Sequence, residues 1–161
     1  LRDPVLGIRN AAFLKGRHLR SDRVREIALD QIARSRNERL GGGAVYLAKM
    51  NEARLEGARI LTRRFTEKPH RIGDVNSGTF ALYHLVYLIS GGSLHGDRYN
   101  SPLSEAEWAA LQVQWKQFLD RHAEAIESGR DFRPDDGSGF ETLIPSHWRF
   151  RPPSAPHKKE P

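Results

Sequence analysis

Apolar side chains recur at helical spacing in four stretches of this chain. In residues 22–40, Val24, Ile27, Ala28 and Ile32 form one narrow stripe among strongly charged faces, with Ser21 placed to cap the start. Gly41-Gly42-Gly43 is expected to end that helix, because glycine readily takes the left-handed conformation just past a helix terminus. Leu47, Met50, Ala58, Leu61 and Phe65 continue the pattern through 44–66, with Arg54 and Gly57 interrupting the stripe and Pro69 stopping it. Residues 78–90 have almost no polar face, which means burial on all sides. Periodicity alone does not separate a central helix from a buried strand there. Helix is preferred because no partner strand is visible elsewhere in the chain.

The best-defined element covers 104–128. Ser104-Glu105-Ala106-Glu107 is a capping box, in which serine and glutamate satisfy each other's backbone amides. Trp108, Leu111, Trp115, Phe118, His122 and Ile126 line up after it on one face, and Gly129 ends the element. The ends of the chain differ from this middle. Residues 1–20 form a basic N-terminal arm, with Asp3-Pro4 as a plausible helix start and Gly7 and Gly16 weakening the helix beyond it. Residues 130–161 are rich in Asp, Gly, Pro and Ser and predict an irregular C-terminal wrap and tail. The fold expected is all-α: a small domain of about four helices over 21–129, with the apolar 78–90 helix at its centre.

Composition narrows the chemistry. The 161 residues fit one domain with its own core and contain no cysteine, which removes disulfides, thiolate metal sites and a cysteine nucleophile. The longest apolar run, 79–89, contains His84 and falls short of the roughly 18–20 residues that cross a bilayer, so no membrane-spanning helix is expected. The formal charge is +6, and it is unevenly placed: residues 1–66 carry 15 basic and 7 acidic side chains, residues 67–161 carry 11 and 13. Such polarity orients a molecule toward RNA, an acidic protein or an anionic lipid surface. A chain that begins at Leu1 rather than methionine, with a basic first segment, leads to the expectation of a removed upstream leader and mitochondrial placement.

No motif dictates a reaction. None of the seven histidines has a histidine four residues away, as a helical two-histidine metal site requires. His84 and His122 sit on the most apolar segments and are expected in the core. A metal-free nuclease site is conceivable from His84, His95, Arg98 and Glu107 if the loop between them folds back. The triple glycine lacks the Gly-Lys-Ser/Thr ending of a phosphate cradle, and 135–139 lacks the alternating oxygen ligands of a calcium loop. Trp108 and Trp115 share a stripe with Leu111 and Phe118, which favours core over base stacking, with a seam against another subunit as the alternative.

These observations assign no catalytic residue, metal ligand or cofactor. The anion- or partner-binding candidates are Arg34, Arg36, Arg39, Arg59, Arg63 and Arg64, from the densest basic clusters. The tail offers Arg149, Arg151, Pro152, Pro153 and Pro156, a proline-rich segment that loses little entropy on docking into a neighbour's groove. The function expected is that of a non-catalytic structural or accessory subunit in a large assembly, such as a mitochondrial respiratory-chain or ATP synthase complex. An RNA-contacting ribonucleoprotein component and an excised nuclease-like toxin domain are the alternatives.

Overall fold

The structure, a computed structural model, describes residues 21–34, 41–67, 77–92 and 103–144. They form six α-helices: α1 Asp22–Arg34, α2 Gly41–Leu47, α3 Asn51–Arg63, α4 Ser77–Ile89, α5 Glu105–Arg121 and α6 Ala123–Glu127. Short 3-10 turns lie at Arg64–Thr66 and Phe140–Leu143, and no strand occurs among the described residues. The domain is all-α, and 78–90 is helical. The basic arm, Arg36, Arg39, the loop carrying His95 and Arg98, and the tail with Arg149, Arg151, Pro152, Pro153 and Pro156 lie outside the described residues.

Two of the expected helices are divided. The 44–66 stretch breaks between α2 and α3, where Met50 takes an extended conformation ahead of Asn51. The break has a chemical cause in Arg54, whose Nη2 donates to the Ala48 carbonyl at 3.0 Å and satisfies an acceptor left over at the end of α2. The 104–128 stretch bends at His122, whose backbone (φ −109°, ψ 17°) leaves the helical region. The His122 ring packs there against Phe118 and Phe132, with centroids 4.5 and 5.1 Å apart. Upstream, Ser104 and Glu107 form the capping box that the sequence predicts.

The triple glycine is itself helical, within α2. A Cβ on Gly43 would lie 2.9 Å from the Ala28 carbonyl oxygen and 3.0 Å from Ile32 Cγ2, so the missing side chain lets α2 close onto α1. Gly57, which interrupts the α3 stripe, has the same role at a busier crossing. Its Cα faces Leu47 of α2, Leu88 of α4 and Ile32 of α1, all within 3.4 Å of a Cβ placed there. α3 therefore packs against α1, α2, α4, α5 and α6. The apolar α4 is buried as expected, with Leu82, Leu85, Val86, Leu88 and Ile89 fully covered, but the helix that touches all the others is α3.

Residues 130–144 close the core as a wrap. Phe132, Phe140, Leu143 and Ile144 join the same buried cluster as the helices. The Phe132 amide donates to the Ile89 carbonyl at 3.1 Å, and the Trp115 indole donates to the Leu143 carbonyl at 3.2 Å. Edge-on contacts of Phe132 with Phe118 and of Phe140 with Trp115 add about 0.5–1.5 kcal/mol each beyond area burial.

Two buried arginines fasten these pieces. Arg54, 4% exposed, donates through Nη1 to the Arg130 carbonyl at 3.0 Å and to Asp131 Oδ1 at 2.9 Å, besides its bond to Ala48. Arg64, 5% exposed, donates to the Ile32 carbonyl at 2.8 Å and to Glu67 at 2.9 Å. Each guanidinium thus sits at the carbonyl end of a helix or turn, where partial negative charge accumulates.

These contacts set two expectations for stability. Gly43→Ala improves intrinsic helix propensity by about 1 kcal/mol, but overpacking against a backbone oxygen costs about 1–3 kcal/mol, so a net loss is expected in urea denaturation. Arg54→Met removes three charge-assisted bonds and leaves the Ala48 carbonyl unpaired, an expected loss of about 2–4 kcal/mol. Asp131→Asn should cost less, because Asp131 is half exposed and the two carbonyl contacts of Arg54 survive.

Candidate partner interface

The arginine candidates are spread over different environments. Arg34 pairs with Asp30 one turn earlier on α1, and Arg59 pairs with Asp120 of α5 at 3.0 Å. Exposed pairs of this kind contribute about 0–1 kcal/mol and leave the guanidinium near solvent. Arg63 is exposed on α3. Arg64 points into the protein and is committed to the Ile32 carbonyl and Glu67, which makes it a structural fastener in this fold. Of the described members of the set, Arg34, Arg59 and Arg63 are exposed and Arg64 is buried.

Of the described histidines and tryptophans, His84, Trp108 and Trp115 are buried and His122 is partly buried. His84 is buried on α4 with its ring edge-on to Tyr83 at 5.2 Å, while burial and, next, the neighbouring Tyr83 push the Tyr87 phenol up from its ordinary value. Trp108 and Trp115 are core residues, Trp108 meeting Phe65 edge-on at 5.4 Å. Glu107, needed as an acid or base in a nuclease reading, is bound to Ser104 in the capping box. Its carboxyl is held below the ordinary range by the Ser104 amide and then by the Ser104 hydroxyl. Among the described residues no group of three His, Asp or Glu side chains is gathered as a metal site.

The unusual surface is the outer face of α5. At about 100° per residue, the side opposite Trp108, Trp115 and Leu119 carries Ala106, Ala109, Ala110, Val113 and Gln117. All five are exposed, and Val113 is the exposed large hydrophobic side chain among the described residues, 52% accessible. Between Ala106 and Gln117 this face carries no charge, in a chain where 29% of residues are charged, and Asp120, one heptad beyond Val113, marks its end. An uncharged, small-residue face is what close approach of another chain needs. The helix-start and core signals of α5 are strong enough to hide it in the sequence. The signal that reveals it is the 106, 109, 110, 113 spacing, a second stripe opposite the aromatic one.

Beside the ridge lies a cleft of about 160 Å³ between α5 and the wrap. Gln114, Gln117 and Arg121 form one wall, Ser138, Gly139 and Thr142 the other, and Phe118 and Leu143 also line it. The far wall is shaped by Asp136. Its Oδ1 accepts from the Ser138 amide at 2.8 Å, and its Oδ2 accepts from the Arg133 amide at 3.1 Å and from Arg130 at 3.4 Å. Burial of the Asp136 carboxyl works against ionisation, but the bonds from Ser138 and Arg133 and the Arg130 charge outweigh it and hold the group below its ordinary value.

A lowered carboxyl stabilises the fold above its unfolded value, near pH 4, and that contribution is lost as pH falls through the folded value. The 133–140 turn is therefore expected to loosen in acid, read as faster exchange of the Arg133 and Ser138 amides. Asp136→Asn should remove most of that acid dependence. Comparison of the chain with protein-family models, curated protein sequences and solved structures finds no match, so the geometry of this surface carries the functional reading.

Proposed function

We propose that this chain is a non-catalytic accessory subunit of a multi-subunit protein assembly, held by a neighbouring protein across the outer face of α5. The observation that supports this reading is the uncharged ridge of Ala106, Ala109, Ala110 and Val113, directly opposite a fully occupied core face. Covering a half-exposed valine and three alanine methyls contributes at about 0.8 kcal/mol per buried carbon, while no charge has to be stripped of water. The adjacent cleft supplies polar contacts at the rim, the usual arrangement of a specific interface.

The wider setting of the proposal comes from the sequence. The basic first twenty residues and the arginine-rich half suit a mitochondrial complex with an anionic neighbour, and the proline-rich tail suits a groove on another subunit. Among the described residues no helix is long and apolar enough to cross a membrane. The ribonucleoprotein alternative asks the arginines for phosphate contacts. It draws less support, because Arg64 is buried and Arg34 and Arg59 already face carboxylates.

Native purification of the tagged full chain from its source, with and without RNase and then sized, tests the reading. The expected result is an RNase-resistant particle that the Val113→Glu variant enters at least about tenfold less, while its own melting stays within about 0.5 kcal/mol of wild type. Collapse of the particle on RNase treatment moves the assignment to the ribonucleoprotein. A lone 18.3 kDa monomer under both conditions overturns the assembly reading.

A further inference from the structure

We propose that the cleft beside Arg121 receives a carboxylate side chain of the protein that covers the α5 ridge, an inference that rests on the docking reading above. The cleft is rich in donors and has no acid in its lining. Arg121 brings a guanidinium with several N–H groups, and Gln114 and Gln117 bring amide donors. Ser138 Oγ accepts from the Phe140 amide at 3.2 Å, which uses a lone pair and leaves the hydroxyl proton to donate.

Neither Asp136 nor Glu141 of the wrap lines the cleft, and the two oxygens of Asp136 are engaged by Arg130, Arg133 and Ser138. Arg121 is exposed and belongs to none of the ion pairs among the described residues, and it lies beside the uncharged stretch 106–117; the complement to that pattern is an apolar partner surface with an acidic residue at its rim. Size agrees with a side chain. About 160 Å³ accommodates the few heavy atoms of an Asp or Glu, and Gly139, where an added Cβ would meet nothing within 4 Å, leaves one wall low enough for a neighbouring backbone to approach. Planar, two-pronged binding of a carboxylate is the chemistry a guanidinium performs best.

Two measurements on the full chain test this. In the isolated protein, sodium acetate is titrated against sodium chloride at equal ionic strength and monitored by amide and arginine Nε–H resonances. Acetate is expected to move Ser138, Gly139 and Arg121 signals in wild type and not in Arg121→Gln. Equal movement with chloride, or none with acetate, overturns the site. Sodium phosphate forms a third arm, and a response to phosphate with none to acetate also overturns it.

In the assembly, Arg121→Glu is expected to lower recovery at least about tenfold. Recovery should return when the acidic partner residue that cross-links next to Gln117 is changed to Lys. Loss of recovery in Val113→Glu with full recovery in Arg121→Glu overturns the carboxylate contact and leaves the ridge reading standing. Full recovery of both variants overturns the docking reading itself.

Discussion

The fold depends on one buried cation. Arg54 sits on the helix that touches all the others, and its guanidinium joins the end of α2, the chain after α6 and the first residues of the wrap. The glycines nearby are explained by that contact. Gly91 turns left-handed at the end of α4, and a Cβ there would overlap the Asp131 carboxylate, so the group that balances Arg54 needs that position bare. Gly129, also left-handed, lets the chain reverse after α6 while Asn51 lies against it. A buried charge is costly unless it is paired and hydrogen-bonded, and here the end of α2 and the start of the wrap together take up both Nη groups.

Much of this architecture is legible in the sequence, and the departures have physical causes. The capping box of Ser104 and Glu107, the aromatic face of α5 and the apolar α4 are readable because each depends on contacts within a few residues. Glycine is ambiguous in a sequence because helix termination and close packing require the same residue. Gly43 and Gly57 are defined by Ala28, Leu47 and Leu88, neighbours that no local pattern reveals. Arg54 looks like an interruption of an apolar stripe for the same reason: its partners Arg130 and Asp131 are 76 and 77 residues away. Residues 130–144 read as irregular, yet their phenylalanines complete the core. The ridge on α5 is hidden because its alanines and valine are individually ordinary in a helix, and only the packing of the opposite face shows that they point outward.

The placement of charge also changes the meaning of the basic composition. Arg54 and Arg64 are committed inside to carbonyl groups and single carboxylates, and Arg59 joins α3 to α5 through Asp120. Part of the positive balance thus belongs to the architecture rather than to a phosphate-binding surface. The face of α5 between Ala106 and Gln117 shows the opposite arrangement, with Lys116 to one side, Gln114 and Arg121 to the other, and Asp120, one heptad beyond Val113, at its end.

The separation between Arg54 and Asp131 bears on how the protein is made. A loop of 77 residues must close before the guanidinium meets its carboxylate, so a bundle of short helices acquires the long-range character of slower folds. During synthesis at about 5–20 residues per second, Asp131 emerges roughly 4–15 s after Arg54. For that interval α3 holds a cation whose final burial has no counter-charge, and the helices before it can gather only loosely. The start of the wrap is thus what secures α3 to the end of α2 long after both have emerged.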